Sequence, residues 1–317
     1  MKLAAVFPGQ GSQSPGMLAD LAGQYKVVGE AFAEASEHLG YDLWDIAQNG
    51  SAEQQRQTEI TQPLMFVGGI AVWRIWQQLK MPTPSFVAGH SLGEYTALTA
   101  AGAIDFVSAI KLVALRGKLM AASVEPGVGG MAALLGMDDE AAVAMCNELT
   151  TEEGVVQAVN FNSPGQVVIS GHIKALEKAC VVAKDKGARK AMLLPVSVPN
   201  HSSLMQPAQA ELAAAIDDAG FVQPKIPVVH NAEAKALDDP GAITASLRNH
   251  VVNPVYWTDS ICYMAKNGVT ELVEIGPGKV LVGLCKRIDK SITTHAIESL
   301  AAVEKLIAAR NEGVADA

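Results

Sequence analysis

The segment that most restricts how this chain can fold is Gly89-His90-Ser91-Leu92-Gly93, because of what stands on either side of it. Ser85-Phe86-Val87-Ala88 reads as the end of an apolar strand, and Glu94-Tyr95-Thr96-Ala97-Leu98 as the start of a helix. A serine with glycine two residues away on each side, between strand and helix, is the pattern of a nucleophile elbow. Small flanking residues permit a tight, strained turn that lifts the hydroxyl clear of the sheet. The turn also aims the next backbone N–H and a helix N-terminus at any oxyanion that develops there. Small-x-Ser-x-small arises by chance in a glycine-rich chain, so the flanking strand and helix carry the assignment.

The same alternation runs along much of the chain. Lys2-Leu3-Ala4-Ala5-Val6-Phe7 reads as a buried strand ending in the loop Pro8-Gly9-Gln10-Gly11-Ser12-Gln13. Helices are predicted over 62–80 and 106–123, the second with Asp105 as N-cap and Glu125-Pro126-Gly127 as its stop. Residues 227–230 and 270–275 resemble further core strands. This order predicts a mostly parallel sheet covered on both faces. From about Val128 to Val196 the rhythm changes. A strand over 130–135, a helix over 138–149, a hairpin of 155–161 and 166–170, a helix over 173–186 and a strand over 191–196 follow in turn. That is β-α-β-β-α-β, the ferredoxin-like order. The expected architecture is a large α/β-hydrolase-like domain, residues 1–127 and 197–317, with a small ferredoxin-like domain, 128–196, inserted into it.

Composition excludes several functions. With 49% hydrophobic residues over 317 positions the chain can bury a large core. A net charge of −9, with no basic stripe interleaved with aromatics, argues against nucleic-acid binding. The apolar run 3–7 is too short for a signal peptide and is stopped by Pro8-Gly9. No uninterrupted apolar run approaches the roughly 20 residues that span a bilayer. Cys146, Cys180, Cys262 and Cys285 have no paired spacing and read as reduced thiols, so a cytoplasmic location is expected. The histidines include no pair at ligand spacing, and no metal is expected. Two glycine clusters fail as phosphate cradles. Ser14-Pro15-Gly16 breaks the helix that a dinucleotide fingerprint at Gly9-Gln10-Gly11 requires, and Val273 and Val280 stand where a P-loop around Gly276-Pro277-Gly278-Lys279 needs Gly and Ser/Thr.

A serine hydroxyl is a weak nucleophile and needs a base within hydrogen-bond reach. His172, His201, His230, His250 and His295 all follow Ser91 in the order used by α/β hydrolases. His201 is the best placed, because Val196-Ser197-Val198-Pro199-Asn200-His201-Ser202 reads as a strand end running into a loop, where catalytic groups concentrate. No acidic third member stands out, since Glu177 and Asp185 fall in a predicted small-domain helix. A backbone carbonyl could orient the histidine instead. Arg116 lies on the apolar side of its predicted helix, among Ala109, Leu112, Val113 and Met120. An arginine there has a partner, either a protein carboxylate or the carboxylate of a substrate.

Together these motifs resemble the bacterial malonyl-CoA:acyl-carrier-protein transacylases over nearly the whole chain. The residues that carry the resemblance are Phe7-Pro8-Gly9-Gln10-Gly11-Ser12-Gln13, Gly89-His90-Ser91-Leu92-Gly93-Glu94-Tyr95, Arg116, Asn200-His201-Ser202, Asn253-Pro254-Val255 and Gly276-Pro277-Gly278-Lys279. The resemblance implies Ser91 as nucleophile, His201 as its base and Arg116 as the malonyl carboxylate site. It implies the backbone N–H groups of Gln10 and Leu92 as the oxyanion hole, and the main-chain carbonyl of His250 as the group that orients His201. It further implies malonyl-CoA and acyl carrier protein as substrates, fatty acid synthesis as the setting, no cofactor and no metal. A monomer is expected. Two basic clusters, Lys184, Lys186, Arg189 and Lys190 on the small domain and Lys279, Lys286 and Arg287 near the end of the chain, are candidate docking surfaces for an acidic carrier. The alternatives are a serine hydrolase or thioesterase, and a transferase for methylmalonyl or another acyl unit in a polyketide route.

Overall fold

In the computed structural model, which describes residues 2–152 and 154–315, with side chains described as far as Asn311, the strands form two sheets. The strands are β1 (Lys2–Phe7), β2 (Phe86–Gly89), β3 (Gly129–Leu135), β4 (Val156–Ser163), β5 (Gln166–His172), β6 (Lys190–Leu193), β7 (Val228–Val229), β8 (Ala236–Leu237), β9 (Val269–Glu274) and β10 (Thr293–Ala296). The first sheet has the order β10-β9-β1-β2-β7-β8 and is parallel except for the β7–β8 pair. The second has the order β4-β5-β3-β6, with every pair antiparallel. The expected mostly parallel sheet is present, with an antiparallel sheet formed between residues 129 and 193.

Sequence explains which strand is central. Leu3, Ala4, Ala5, Val6 and Phe7 are all buried, as a strand covered by helices on both faces must be. One face packs against the helices Thr58–Gln78 and Phe106–Ala122, and the other against Trp257, Ile261 and Leu284. The antiparallel sheet has a core of its own, built on Ala132, Leu134, Ile169, Leu176 and Ala179. Its strand β6 ends at Leu193, short of the predicted 196, because Pro195 has no N–H with which to continue the ladder. The chain then crosses to Asn200-His201. No helix among the described residues is long and apolar enough to cross a membrane.

Because β9, β1, β2 and β7 run parallel, the loops after them all open on one edge of the sheet. Those loops carry Gly276–Gly278, Gln10, Ser91 and Asn231 respectively. The carboxyl edge of such a sheet is where ligands bind in open α/β folds. The two sheets are stitched together beside it, where Phe161 N–H donates to the Val255 carbonyl (2.9 Å) and Val255 N–H to the Val159 carbonyl (2.8 Å).

The elbow is possible only with glycine at its two flanks. A Cβ on Gly89 would lie 1.8 Å from the Gly93 carbonyl carbon, and one on Gly93 would lie 2.2 Å from the Phe7 carbonyl oxygen. Both neighbours are backbone and cannot move aside. Gly89→Ala is therefore expected to destabilise the protein by roughly 3 kcal/mol or more. A urea midpoint equal to that of the wild type would contradict this account.

Candidate active site

Ser91 sits at φ 53°, a left-handed conformation unfavourable for serine, at the tip of the turn between β2 and the helix Gly93–Ala100. Its Oγ lies 2.7 Å from Nε2 of His201. His201 is itself at φ 63° and is 2% exposed. Its Nδ1 lies 3.0 Å from the carbonyl of His250 and 3.0 Å from that of Asn253. Two carbonyl acceptors require a proton on Nδ1, which leaves Nε2 free to accept from the Ser91 hydroxyl. The two left-handed residues thus face each other across one hydrogen bond, each projected from a separate loop.

Burial, and then the positive charge of Arg116, push His201 down to about 3, against the opposing pull of the two carbonyls. The imidazole is therefore neutral at physiological pH. Arg116, 1% exposed, projects from the helix Phe106–Ala122. Its Nη1 donates to Gln62 Oε1 (2.7 Å), its Nη2 reaches Ser91 Oγ at 3.5 Å, and the guanidinium stands 5.6 Å from the Tyr95 ring centre. Among the described residues no carboxylate comes within 4.0 Å of it, and its Nε has no partner. Among the described residues, therefore, Arg116 has no protein carboxylate for a partner.

A cavity of about 240 Å³ opens over Ser91 and His201. Gln10, Ser91 and His201 line it, with Asn162 and Met131 from the second sheet and Leu281 from the helix Val280–Ile288. The N–H groups of Gln10 and Leu92 have no acceptor among the described residues. A larger cavity of about 760 Å³, around Trp73, Phe106 and Lys225, contains neither the serine nor the histidine.

The remaining histidines sort by their partners. His172 Nδ1 accepts the Val155 N–H (2.9 Å), and His295 stands 3.7 Å from Glu271. His230 pairs with Glu94 at 2.7 Å, both fully buried. The His250 side chain is buried with neither ring nitrogen hydrogen-bonded, and burial holds it well below the usual histidine range. No group of three or more side chains suited to a metal occurs among the described residues.

Sequence reasoning missed Gln62, which positions Arg116, and the second carbonyl on His201, that of Asn253. It also missed Asn162, whose Oδ1 lies 2.7 Å from His90 Nε2 and ties the elbow to the second sheet. Glu94 and Asn231, directly behind the serine, were missed as well. Glu94 carried a usable signal, since a carboxylate inside an apolar helix is as informative as Arg116.

The chain as a whole is similar to known proteins. The model of the acyl transferase domain family matches residues 5–311. The malonyl CoA-acyl carrier protein transacylase of Salmonella typhimurium (strain LT2) is 49% identical over 302 residues, covering 95% of this chain and 97% of that protein. The crystal structure of an acyl carrier protein S-malonyltransferase from Vibrio cholerae superposes with a TM-score of 0.93 at 50% identity, covering 96% of this chain and 100% of that one. A malonyl-transacylase in complex with its type II PKS acyl-carrier protein gives a TM-score of 0.93 at 47% identity, over 95% of this chain and 97% of that one.

The state of His201 can be tested directly. In the folded protein its imidazole is expected to stay neutral from pH 8 to about pH 4, whereas the unfolded chain takes up that proton near pH 6.5. Its contribution to stability therefore falls as pH drops through the window between about 6.5 and 3. A nuclear magnetic resonance titration placing the His201 midpoint near 6.5 would contradict the assignment.

Proposed function

The chain belongs to the acyl transferase domain family, among the malonyl-CoA–acyl carrier protein transacylases, and we propose that Ser91, His201 and Arg116 carry its reaction. That reaction moves a malonyl group from malonyl-CoA to the phosphopantetheine thiol of acyl carrier protein, in fatty acid biosynthesis. The observation that carries the residue assignment is the Ser91–His201 contact of 2.7 Å beside a buried arginine that has no carboxylate within 4.0 Å among the described residues.

In this reading Ser91 Oγ attacks the thioester carbonyl while His201 Nε2 takes its proton. The N–H groups of Gln10 and Leu92 hold the oxyanion, and the C–S bond breaks. Coenzyme A leaves with the proton from His201, and malonyl-Ser91 remains. The carrier thiol then gives its proton to His201 and attacks the ester carbonyl. Collapse of the second oxyanion breaks the C–Oγ bond and returns the proton to Ser91. Removing one oxyanion donor typically lowers the rate by about 10²–10³-fold. The carbonyls of His250 and Asn253 keep the imidazole in the tautomer that both steps need.

Arg116 pairs with the malonyl carboxylate through its guanidinium. An acetyl group in the same place would leave that buried cation unpaired. The malonyl carboxylate has a second effect. Arg116 is one of the groups that depress His201, so a carboxylate on Arg116 offsets that field and strengthens the base when the right substrate is bound. A serine hydrolase would have no use for such a cation beside its serine.

The chain is read as a cytoplasmic, monomeric enzyme that needs no metal or cofactor. It is further read as a large α/β-hydrolase-like domain, residues 1–127 and 197–317, with an inserted ferredoxin-like domain, 128–196. The strand order and separate core of the antiparallel sheet support that division. The carrier is read as approaching along the helix Val280–Ile288, whose first turn lines the cavity and whose last turn bears Lys286 and Arg287.

Intact-protein mass spectrometry after brief exposure to malonyl-CoA should show one malonyl adduct that discharges onto carrier protein and is absent in Ser91→Ala. In Arg116→Ala, malonyl acylation should fall by about 10²-fold with little change for acetyl-CoA. No adduct on folded wild-type protein would sink the covalent mechanism.

A further inference from the structure

We propose that Asn231 is the positioning residue that holds the Ser91 turn in its reactive shape and ties it to the segment that orients His201; the inference rests on the reading of Ser91 as nucleophile given above. Asn231 follows β7, the strand beside β2, so its side chain reaches across to the elbow. It is 1% exposed, and both atoms of its amide grip the turn. Oδ1 accepts the Ser91 N–H at 2.7 Å, and Nδ2 donates to the Gly89 carbonyl at 2.6 Å. A flipped amide would set donor against donor and acceptor against acceptor, so its orientation is fixed.

The main chain of Asn231 is held as firmly. Its N–H donates to Glu94 Oε2 at 2.9 Å, and the other Glu94 oxygen pairs with His230 Nδ1 at 2.7 Å. Its carbonyl accepts the Tyr256 N–H at 3.0 Å. Tyr256 lies three residues beyond Asn253, whose carbonyl is on His201 Nδ1. Asn231 therefore bonds both to the turn that carries the nucleophile and to the segment that steers the base.

The consequence is chemical as well as structural. The backbone of Ser91 sets the direction of its Oγ and also that of the next N–H, on Leu92. Non-glycine residues keep a left-handed conformation only where their surroundings hold it. The clamp across Gly89 and Ser91 is what holds it here. Loosening it misdirects the nucleophile and one oxyanion donor together while leaving the binding groups, Arg116 and the cavity walls, in place.

Single-turnover acylation by malonyl-CoA, followed by rapid quench and mass spectrometry, tests this in wild type, Asn231→Ala, Asn231→Asp and Ser91→Ala. Rates are taken on the folded fraction, fixed by circular dichroism. Asn231→Ala is expected to reach full acylation about 10²-fold more slowly, the scale of losing one oxyanion donor, with the half-saturating malonyl-CoA concentration changed less than about threefold. Asn231→Asp, which keeps the acceptor for Ser91 N–H and loses the donor to Gly89, should fall between. A merely structural role would lower the folded fraction but leave the rate of the folded molecules unchanged, and a rate within about tenfold of wild type in folded Asn231→Ala overturns the proposal. Should that variant not fold, Asn231→Asp decides by whether its rate falls at unchanged half-saturation. Failure of the wild type to acylate while Ser91→Ala behaves identically would overturn the reading of Ser91 itself, and the proposal with it.

Discussion

The contact on which the rest of this structure depends is one of backbone against backbone, where Gly93 rests on the Phe7 carbonyl and Gly89 on Gly93. The positions a Cβ would take there fall 2.2 Å and 1.8 Å from backbone atoms. This approach lets β2 reverse into its helix within a few residues and brings the turn against the end of β1. His90 N–H donates to the same Phe7 carbonyl at 3.0 Å. From β1 the chain continues directly into Gly9-Gln10. The loop bearing one free N–H and the turn bearing the other are thus fixed against each other by packing that allows no slack.

Around the turn the protein arranges charge in a nearly dry interior. Arg116 and Glu94 are both fully or almost fully buried, yet they do not pair. Glu94 is met from behind by His230 and the Asn231 N–H, while Arg116 donates to Gln62 and keeps an Nε without a partner among the described residues. Had Glu94 met Arg116 directly, the guanidinium would have been consumed within the protein. Keeping the two apart leaves the positive charge of Arg116 facing Ser91.

The parts of the site that were legible in the sequence were those with a local signature. Ser91 is marked by its glycines, Arg116 by its place on an apolar helical face, and His201 by the strand end before it. The parts that were not legible act through groups that leave no such mark. The carbonyls of His250 and Asn253 are backbone atoms, and any residue type supplies one; the first was expected only from family resemblance, the second not at all. Asn231 reaches Ser91 across 140 positions of sequence, in a stretch whose pattern reads as nothing more than a returning strand. Gln62 sits in a helix so thoroughly buried that a glutamine there carries little periodic information. Large elements were legible because periodicity and turn residues set them, while β6 stopped early for the local reason that Pro195 ends a ladder.

The pair of carbonyls on His201 also bears on the kind of reaction this pocket suits. A carboxylate in their place would stabilise the imidazolium and raise the affinity of the base for its proton, as helps when an amine must be protonated to leave. A thiol has a free pKa of about 8.5, so its departure asks far less of the acid. Carbonyls supply the tautomer and the direction without adding a negative charge. That matters here because a carboxylate beside His201 would stand in the field of Arg116 and compete for it. A histidine oriented by carbonyls and an arginine without a carboxylate among the described residues are therefore two sides of one electrostatic arrangement around Ser91.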